Sequence, residues 1–254
     1  MTKDLFSNQS DLYLRYRPAY PHALFDYILS YVKEKNIAWD CATGNGQAAI
    51  VLAGHFKKVF ATDISDAQIK NAIKKENIEY SISPAEATPF PENTFDLVTV
   101  AQAYHWLKWD LFREELMRVC KPGAVLAIWV YYEHTTGNKQ VDDAVKDFYK
   151  NVTGPYWDYE RKFVEEKYAS VSFNFELLPS KNFETVMKWK RDDLLGYVSS
   201  WSAVQKFIKV NGYSPVPLLG KEIKKHWNEN DIKNVIFPIY LKLGRISPHR
   251  HIET

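Results

Sequence analysis

The sequence is poor in cysteine and has almost no surplus of charge. Its two cysteines, Cys41 and Cys120, lie far apart in apolar segments, and neither belongs to a Cys/His cluster. A zinc site or a disulfide framework needs clustered or paired cysteines, so neither is expected and no metal is predicted. The 33 Lys and Arg against 31 Asp and Glu leave a formal charge of +2. This balance argues against a nucleic-acid partner.

Long apolar runs are also missing. No stretch approaches the roughly 18 consecutive apolar residues of a membrane span, and the first letters, MTKDLF, lack the apolar core of a secretory signal. These absences predict a reduced, cytoplasmic protein without a membrane partner. Hydrophobic residues make up 46% of the 254 and charged residues 25%, which is typical of a globular protein with a sizeable core. The sequence leaves the oligomeric state open.

The first half of the chain alternates strand and helix patterns. Such alternation predicts an α/β fold with a doubly wound, Rossmann-like, mostly parallel sheet and helices on both faces. The letters SDAQ at 65–68 match a capping box and predict a helix start. The predicted strands cover 37–41, 59–63, 80–82, 95–101 and 124–129, and the predicted helices 23–35, 47–55, 65–75 and 109–119.

The second half is more irregular. Helices are predicted over 141–152, 192–209 and 218–227, and an antiparallel last strand over 235–243. Pro238 inside that strand predicts an edge position or a bulge. We expect this half to complete the sheet and to add a helical cover over its C-terminal edge. No linker separates the halves, so the prediction is one domain over 1–246, with a lid segment at 1–22, a substrate-side cover within 130–232 and a frayed tail at 247–254.

A glycine-containing loop, DCATGNG at 40–46, joins the first sheet strand to a helix. Ligands bind at this carboxyl edge of a doubly wound sheet, because glycines let backbone N–H groups approach them. Asp63 ends the next strand, 19 residues after Gly44, where a carboxylate can accept hydrogen bonds from both hydroxyls of a ribose. The pattern favours a nucleoside-containing ligand, and a plain glycine turn with a helix-capping aspartate is the alternative.

Two other functions compete at this point. The letters GNGQAA at 44–49 fit the dinucleotide fingerprint G-x-G-x-x-G/A, so an NAD(P)-dependent oxidoreductase is one alternative. The Tyr-x-x-x-Lys pattern such an enzyme could use, Tyr31 to Lys35, precedes the first sheet strand instead of following the loop. A non-catalytic partner protein that keeps the fold is the second alternative. The intact loop and ribose carboxylate argue against it.

Eight short motifs follow one another in a consistent order. They are YRPAYP at 16–21, DCATGNG at 40–46, DIS at 63–65, AEATPF at 85–90, FDLV at 95–98, AQAYHW at 101–106, KPG at 121–123 and SWS at 200–202. Together they resemble the class I S-adenosylmethionine-dependent methyltransferases, especially the methyltransferase type 11 group that includes the trans-aconitate methyltransferase-like enzymes. One departure is Ala42, where the family's loop often carries glycine.

The resemblance implies S-adenosylmethionine as the cofactor, S-adenosylhomocysteine as its product, and no metal. The glycine loop would hold the methionine part, the residue ending the second strand the ribose, and the residue after it the adenine face. The AE pair at 85–86 would meet the adenine edge, and the residue after the fourth strand the sulfonium. The cofactor-binding residues implied in this way are Asp40, Ala42, Gly44, Gly46, Asp63, Ile64, Ala85, Glu86 and Gln102.

The resemblance also implies a small-molecule acceptor, a carboxylate or another oxygen or nitrogen nucleophile, methylated by in-line displacement. Proximity would supply most of the catalysis, and a carboxylate would need no general base. His105 is the candidate catalytic residue, as a hydrogen-bond donor or a base, or else it only shapes the cofactor pocket. The predicted lid and substrate residues are Tyr13, Arg15, Tyr16, Tyr20 and Trp106, and the later aromatics Trp157, Trp189, Tyr197 and Trp201 either roof the acceptor or pack in the core.

Overall fold

The computed structural model of the protein describes residues 16–247. Two predicted lid residues, Tyr13 and Arg15, lie outside these residues, as does the predicted tail beyond residue 247. The strands are β1 (Ile37–Cys41), β2 (Lys58–Asp63), β3 (Ile78–Ile82), β4 (Phe95–Ala101), β5 (Cys120–Tyr131), β6 (Glu176–Leu178), β7 (Phe183–Trp189) and β8 (Lys233–Arg245).

Helices flank these strands, and short helical turns cover 104–106, 148–152 and 154–156. Within residues 16–247, no helix combines the length and the apolar character that a membrane crossing requires. The helices are α1 (His22–Leu29), α2 (Gln47–Leu52), α3 (Asp66–Lys70), α4 (Trp109–Val119), α5 (Lys139–Asp147), α6 (Arg161–Glu165), α7 (Arg191–Ser199), α8 (Ser202–Asn211) and α9 (Val216–Ile223).

In the described part of the chain the strands form one sheet of eight, in the order β3-β2-β1-β4-β5-β8-β6, with β7 also paired to β8. The strands from β1 to β5 are parallel to their neighbours, and β8 runs antiparallel to β5. The predicted fold class is therefore confirmed, including the antiparallel last strand. Parallel strands share one carboxyl edge, and the register pairs Cys41 of β1 with Thr62 of β2 there.

The sheet is buried on both faces, as parallel sheets require. Successive side chains of β1 enter different apolar clusters, since side chains alternate across a strand. Ala38 packs in the cluster that contains Leu24 of α1, whereas Trp39 packs in the other, with its ring 6.0 Å from that of Phe112 in α4. The indole N–H of Trp39 donates to Thr62 Oγ1 at 2.9 Å, which satisfies its polar atom inside the core.

Two elements of the second half were not predicted, the strands β6 and β7. They make the segment 130–232 a mixed cover instead of a purely helical one. In β7 the more exposed residues Glu184, Val186 and Lys188 alternate with the more buried Thr185 and Trp189. This period of two is a strand signal. Pairing with β8 along its whole length, from residue 183 to 189, stabilises it.

The helix predicted over 192–209 is wrong, because the chain breaks it at Ser200 and Trp201. Ser200 ends α7, with its hydroxyl donating to the Tyr197 carbonyl at 2.6 Å. Trp201 then takes an extended backbone, φ −71° and ψ 135°, as the residue before α8. Serine competes with helix hydrogen bonds in this way, and the break turns the SWS motif into a joint.

Pro238 lies neither at a sheet edge nor in a bulge, contrary to the prediction. It pairs with Glu184 of β7, within an uninterrupted register, and β8 lies between β7 and β5. The β5 pairing ends one residue later, at Ile239, and the next bridge on that side joins Ile236 to Thr135. The backbone nitrogen of Pro238, which carries no hydrogen, therefore faces the side where β5 has already ended, so no hydrogen bond of the sheet is lost there.

Helix boundaries near the sheet are shorter than predicted, although the capping signal holds. Ser65 caps α3 by accepting the Gln68 N–H at 3.3 Å, as the capping box predicts. The helix ends at Lys70 instead of continuing to Lys75, and α1 likewise ends at Leu29, short of Lys35.

Candidate active site

The loop between β1 and α2 turns through three left-handed residues. Ala42, Gly44 and Gly46 have φ of 52°, 57° and 86°. Glycine adopts this conformation readily, whereas Ala42 bears a backbone penalty of about 1–2 kcal/mol. Gly46 is also sterically required, because a Cβ there would overlap the Tyr80 hydroxyl. The loop therefore keeps a left-handed backbone at residue 42 even with alanine there.

Asp40, in β1, fixes this loop through hydrogen bonds. Its carboxylate is buried, and Oδ1 accepts the Thr99 hydroxyl of β4 at 2.7 Å. Oδ2 accepts the Thr43 hydroxyl at 2.5 Å and the Ala49 N–H of α2 at 3.0 Å. Burial raises the pKa of Asp40 to about 6, and these donors oppose the shift. The carboxylate thus joins two strands, the loop and a helix.

Asp63 stands half-buried where β2 ends, beside the same loop. Its Oδ2 accepts the Gly44 N–H at 2.9 Å, and its Oδ1 accepts the Ser65 N–H at 2.9 Å. Each carboxylate oxygen can accept more than one hydrogen bond, and these two backbone bonds use one acceptor position on each. The next residue, Ile64, is half-buried at the same edge. Backbone donors therefore orient the carboxylate in advance.

The pair Ala85 and Glu86 follows β3 on the same edge. Ala85 is buried, and the half-buried Glu86 accepts the Lys108 N–H at 2.9 Å through Oε1. This bond ties the loop after β3 to the start of α4. The contact with the adenine edge predicted for the two residues stays a prediction. Their position beside the glycine loop results from the order of the parallel strands.

The carboxylates make this edge electronegative. Burial raises the pKa of the Cys41 thiol well above its ordinary value, and three carboxylates raise it further. They belong to Asp40, Glu86 and Asp63. These residues are spread between positions 40 and 86 of the sequence, and the parallel sheet brings them together near Cys41. Such an edge favours a cationic ligand with hydroxyl donors and disfavours a pyrophosphate.

A cavity of about 50 Å³ opens beyond the ends of β4 and β5. Gln102 stands at its border with φ 57°, directly after β4. Its N–H donates to the Trp129 carbonyl at 2.9 Å and its side-chain Nε2 to the Tyr131 carbonyl at 3.0 Å, which fixes it against β5. The cavity is lined by Arg17, Gln102, His105, Trp106, Tyr131, Trp157, Asp158, Arg161, Tyr197, Trp201 and Ser202.

Two guanidinium groups belong to this lining. Arg17 donates to the Tyr131 hydroxyl at 3.3 Å and to the Ser200 carbonyl, at the joint between α7 and α8, at 3.2 Å. Arg161 lies 4.4 Å from the centre of the Trp157 ring and donates its Nε–H to Tyr149 at 2.8 Å. The carboxylate in the lining, Asp158, forms an ion pair of 2.5 Å with Lys206. The wall is therefore cationic and aromatic.

His105 and Trp106 both contact the cavity, in the helical turn after β4. His105 is only 7% exposed, and its Nδ1 lies 2.9 Å from the Tyr168 hydroxyl. Burial, together with the nearby Arg161 charge, lowers the pKa of His105 to about 3. The ring centres of His105 and Trp106 are 4.8 Å apart. His105 is thus a neutral imidazole over the ordinary pH range.

The described lid residues divide into packing and lining positions. A Cβ on Gly196 of α7 would overlap the Tyr16 ring, so Tyr16 lies flat against that helix. The Tyr20 ring packs edge-on against the buried Trp129 at 5.2 Å. Arg17, between them, is the residue of this segment that lines the cavity. The glycine at 196 is the sequence signal for this close approach.

Of the four later aromatics, three line the cavity, and Trp189 lies behind Tyr197 with a ring distance of 5.6 Å. Arg161 was not predicted, because nothing in the letters RKFVE of a short helix marks a cation as inward-facing. A larger cavity of about 390 Å³ shares Arg161 and Trp201 with the first. Within residues 16–247, no group of three or more His, Cys, Asp or Glu side chains is arranged to hold a metal ion.

A parallel sheet with a glycine loop, a carboxylate at the end of the second strand and an adjoining cavity is an arrangement that suits a nucleoside-containing ligand. The family model described as a methyltransferase domain matches residues 39–128. A Dictyostelium discoideum protein that carries a methyltransferase name, DDB_G0268948, is 34% identical over 249 residues and 95% of each chain. Methyltransferase cfoB of Aspergillus candidus is 26% identical over 221 residues, 74% of this chain and 67% of its own.

A solved structure from Anaeromyxobacter dehalogenans, described as a type II methyltransferase, shares the whole architecture. It is 35% identical, covers 92% of this chain and 99% of its own, and superposes with a TM-score of 0.83. The chain therefore belongs to the class I S-adenosylmethionine-dependent methyltransferases. The narrower trans-aconitate methyltransferase-like group stays a prediction.

Proposed function

We propose that this protein methylates a small-molecule acceptor with an anionic group, most simply a carboxylate, using S-adenosylmethionine. The observation that carries the proposal is the cavity after β4 and β5, which is small, aromatic and lined by Arg17 and Arg161. A guanidinium group binds a carboxylate through charge-assisted, often bidentate hydrogen bonds. The acceptor would enter there, beside Gln102.

The cofactor that this family uses fits the edge described above. Bound S-adenosylmethionine supplies an electrophilic methyl group on a positively charged sulfur, which an oxygen or nitrogen nucleophile displaces in line. Asp63 would accept both ribose hydroxyls, and Asp40 would act through the loop that it holds. Glu86 and Ala85 would meet the adenine edge, with Ile64 on its face.

Charge separates this proposal from its alternatives. The three carboxylates around Cys41 suit a sulfonium and an ammonium group. They would repel the pyrophosphate of NAD(P), which disfavours the oxidoreductase alternative. A non-catalytic partner would have no use for a cavity with two guanidinium groups at the end of the same sheet.

The chain's own contribution to the reaction is alignment and the exclusion of water. Gln102 is fixed at the border between edge and cavity, so an acceptor held by Arg17 and Arg161 would face the cofactor side. Aromatic side chains of Tyr131, Tyr197 and other residues line the cavity, and a bound acceptor would displace water there, which would strengthen attraction between an anionic acceptor and a cationic sulfur. No proton has to move when the acceptor is a carboxylate.

A methyl-transfer assay over small carboxylic acids, phenols and amines tests the proposal. We expect carboxylates to be methylated, and Arg161→Ala to reduce kcat/KM for the acceptor roughly 10–100-fold, the loss of a charge-assisted hydrogen bond. Binding of S-adenosylmethionine should not change. Lys162→Ala is the matched control, since the ammonium of this neighbouring cation lies 4.0 Å from the centre of the Tyr159 ring instead of in the cavity lining. Methylation of amines or phenols alone, unaffected by Arg161→Ala, would contradict the anionic acceptor.

A further inference from the structure

We infer that Tyr168 is a positioning residue that holds His105 as an Nε2–H donor toward the acceptor, so that His105 binds the acceptor and does not act as a base. The inference rests on the proposed function for the identity of the ligand. The sequence leaves three roles open for His105: a hydrogen-bond donor, a base, or a residue that only shapes the cofactor pocket. The inference chooses the donor role and names Tyr168 as the residue that imposes it.

The backbone around Tyr168 is unusual. Lys167 and Tyr168 have φ of 56° and 60°, two consecutive left-handed residues without glycine. A bulky residue at positive φ is a genuine outlier and persists only where the surroundings fix it. The Tyr168 N–H donates to the Phe163 carbonyl at 2.8 Å, which folds the chain back over α6. The side chain is then 1% exposed, in contact with His105.

The direction of the hydrogen bond follows from the partners available to the Tyr168 hydroxyl. Burial raises the pKa of the phenol, so the hydroxyl keeps its proton. Among the described residues, His105 Nδ1 is the one hydrogen-bond partner of this buried hydroxyl, and a buried proton left without an acceptor is costly. His105 Nδ1, at 2.9 Å, is the acceptor within reach.

A neutral imidazole carries a single N–H group. With Nδ1 accepting from Tyr168, that proton belongs on Nε2, the polar ring atom left for the cavity that His105 lines. An Nε2 that bears a proton cannot take one from the acceptor. Together with the guanidinium groups it forms a set of donors, which matches an acceptor that arrives deprotonated.

Burial and a charged neighbour keep the ring neutral. Burial, together with the Arg161 guanidinium, lowers the pKa of His105 to about 3. Asp158, the carboxylate that lines the same cavity, pairs with Lys206. The charged and titratable groups that face this space from the packed elements are Arg17, Tyr131, Asp158, Arg161, Tyr168 and Tyr197.

The first test is nitrogen NMR of the histidine ring in the full-length protein and its Tyr168→Phe variant. The His105 signals are assigned by their loss in His105→Gln. We expect the Nε2–H tautomer between about pH 5 and pH 9 in the native protein, and a mixture of tautomers in Tyr168→Phe. Tyr104→Phe is the matched control. It removes a hydroxyl of the same cluster, bonded at 2.7 Å to the Ser172 carbonyl, and should keep the tautomer.

An Nδ1–H tautomer, a His105 titration near the ordinary histidine pKa, or a loss of the tautomer in both tyrosine variants would overturn the inference. Urea unfolding verifies that each variant is folded. The tautomer is read without cofactor or acceptor, so its outcome does not depend on whether the proposed function holds. That function is tested separately, by the methyl-transfer assay over small carboxylic acids, phenols and amines.

The kinetic test separates a donor from a base. His105→Gln keeps an N–H donor and should retain kcat/KM for the acceptor within about tenfold, whereas His105→Leu should lose about 10–100-fold. The native pH profile should show no limb from histidine. Equal inactivity of both variants, together with a native rate that rises through the ordinary histidine pKa, would show that His105 is a base and overturn the inference.

Discussion

The proposed cofactor edge and the proposed acceptor cavity meet at Gln102, yet the chain builds them in different ways. The cofactor edge, defined as Ala42–Gly46 with Asp40, Asp63 and Glu86, comes from turns that directly follow strands. The acceptor cavity draws on Arg17, on residues 131 and 157–161, and on the joint at 200–202. Backbone N–H groups and carboxylates dominate the edge, and rings and guanidinium groups dominate the cavity.

The difference teaches how each region obtains its specificity. The edge is preorganised by hydrogen bonds to Asp40 of β1, from Thr99 of β4 and from Ala49 of α2. The cavity depends on packing between segments far apart in sequence, such as Arg17 against Ser200. An acidic edge beside a cationic cavity matches a cationic cofactor beside an anionic acceptor. The edge should therefore tolerate change least.

The largest effect is expected for Gly46→Ala, at the edge. The new Cβ would overlap the Tyr80 hydroxyl and also occupy a left-handed position, so we expect a loss of about 2–4 kcal/mol in unfolding free energy and weaker cofactor binding. Gly123→Ala is the matched control, with φ 83° and no atom within 4 Å of the Cβ. Urea unfolding should give this control a loss of about 1–2 kcal/mol. Equal losses would show that Tyr80 does not confine the loop.

Asp63→Ala is expected to come next, because it removes the carboxylate for which we propose contact with the ribose. Cofactor affinity should fall by about 1.5–3 kcal/mol, or roughly 10–150-fold, since hydrogen bonds to a charged group are lost. Calorimetric titration measures it, and Asp66→Ala, an exposed carboxylate three residues away, is the control. Unchanged affinity in Asp63→Ala would remove Asp63 from the cofactor site.

Next to the cavity, the buried His134 should make the stability of the protein depend on pH. His134 stacks on Phe237 at 5.2 Å, and its buried Nε2 has no hydrogen-bond partner among the described residues. Burial lowers the pKa of His134 to about 4 from its ordinary 6.5. Unfolding then takes up a proton as pH falls through that window, so His134 should lower stability by roughly 2 kcal/mol at pH 5 compared with pH 8.

His134→Phe should remove that pH dependence and leave the ring packing intact. Thermal unfolding of native and variant proteins between about pH 4 and pH 8 measures the difference in their stability. The raised pKa of Asp40 gives stability the opposite pH dependence, and this contribution cancels because both proteins contain it. His22→Gln, an exposed histidine, controls for the loss of a histidine. A variant that is less stable than the native protein at pH 5 would contradict the assignment.

Ala42→Gly carries the smallest expected effect. Glycine relieves the left-handed strain at φ 52° but loses more entropy on folding, which leaves a gain of about 0.5–1 kcal/mol. A higher Tm with unchanged cofactor affinity would support a loop path that does not depend on the residue type. A lower Tm would show that the methyl group of Ala42 packs usefully.

Contiguous segments explain why the cofactor edge was predictable from the sequence. The loop at 40–46 and Asp63 follow buried strands whose order fixes their proximity, so local letters were enough. The internal role of Asp40 was not visible, because Thr99 lies 59 positions away and belongs to a neighbouring strand.

The cavity was predicted only in fragments, for the opposite reason. Trp157, Tyr197 and Trp201 were candidates, but their inward orientation depends on the break between α7 and α8, which the helical pattern of 192–209 concealed. Arg161 and Tyr168 carry no local signal, since a cation in a short helix and a tyrosine at positive φ acquire their positions from tertiary packing. The alternation along β7 was readable and was missed.

The most direct test of the central claim, an acidic edge that binds a sulfonium cofactor, is calorimetric titration of the purified protein with S-adenosylmethionine and S-adenosylhomocysteine, with NADH in parallel. The account predicts that both sulfur compounds bind and that NADH does not. Binding of NADH in their place, or no binding of either sulfur compound, would contradict it.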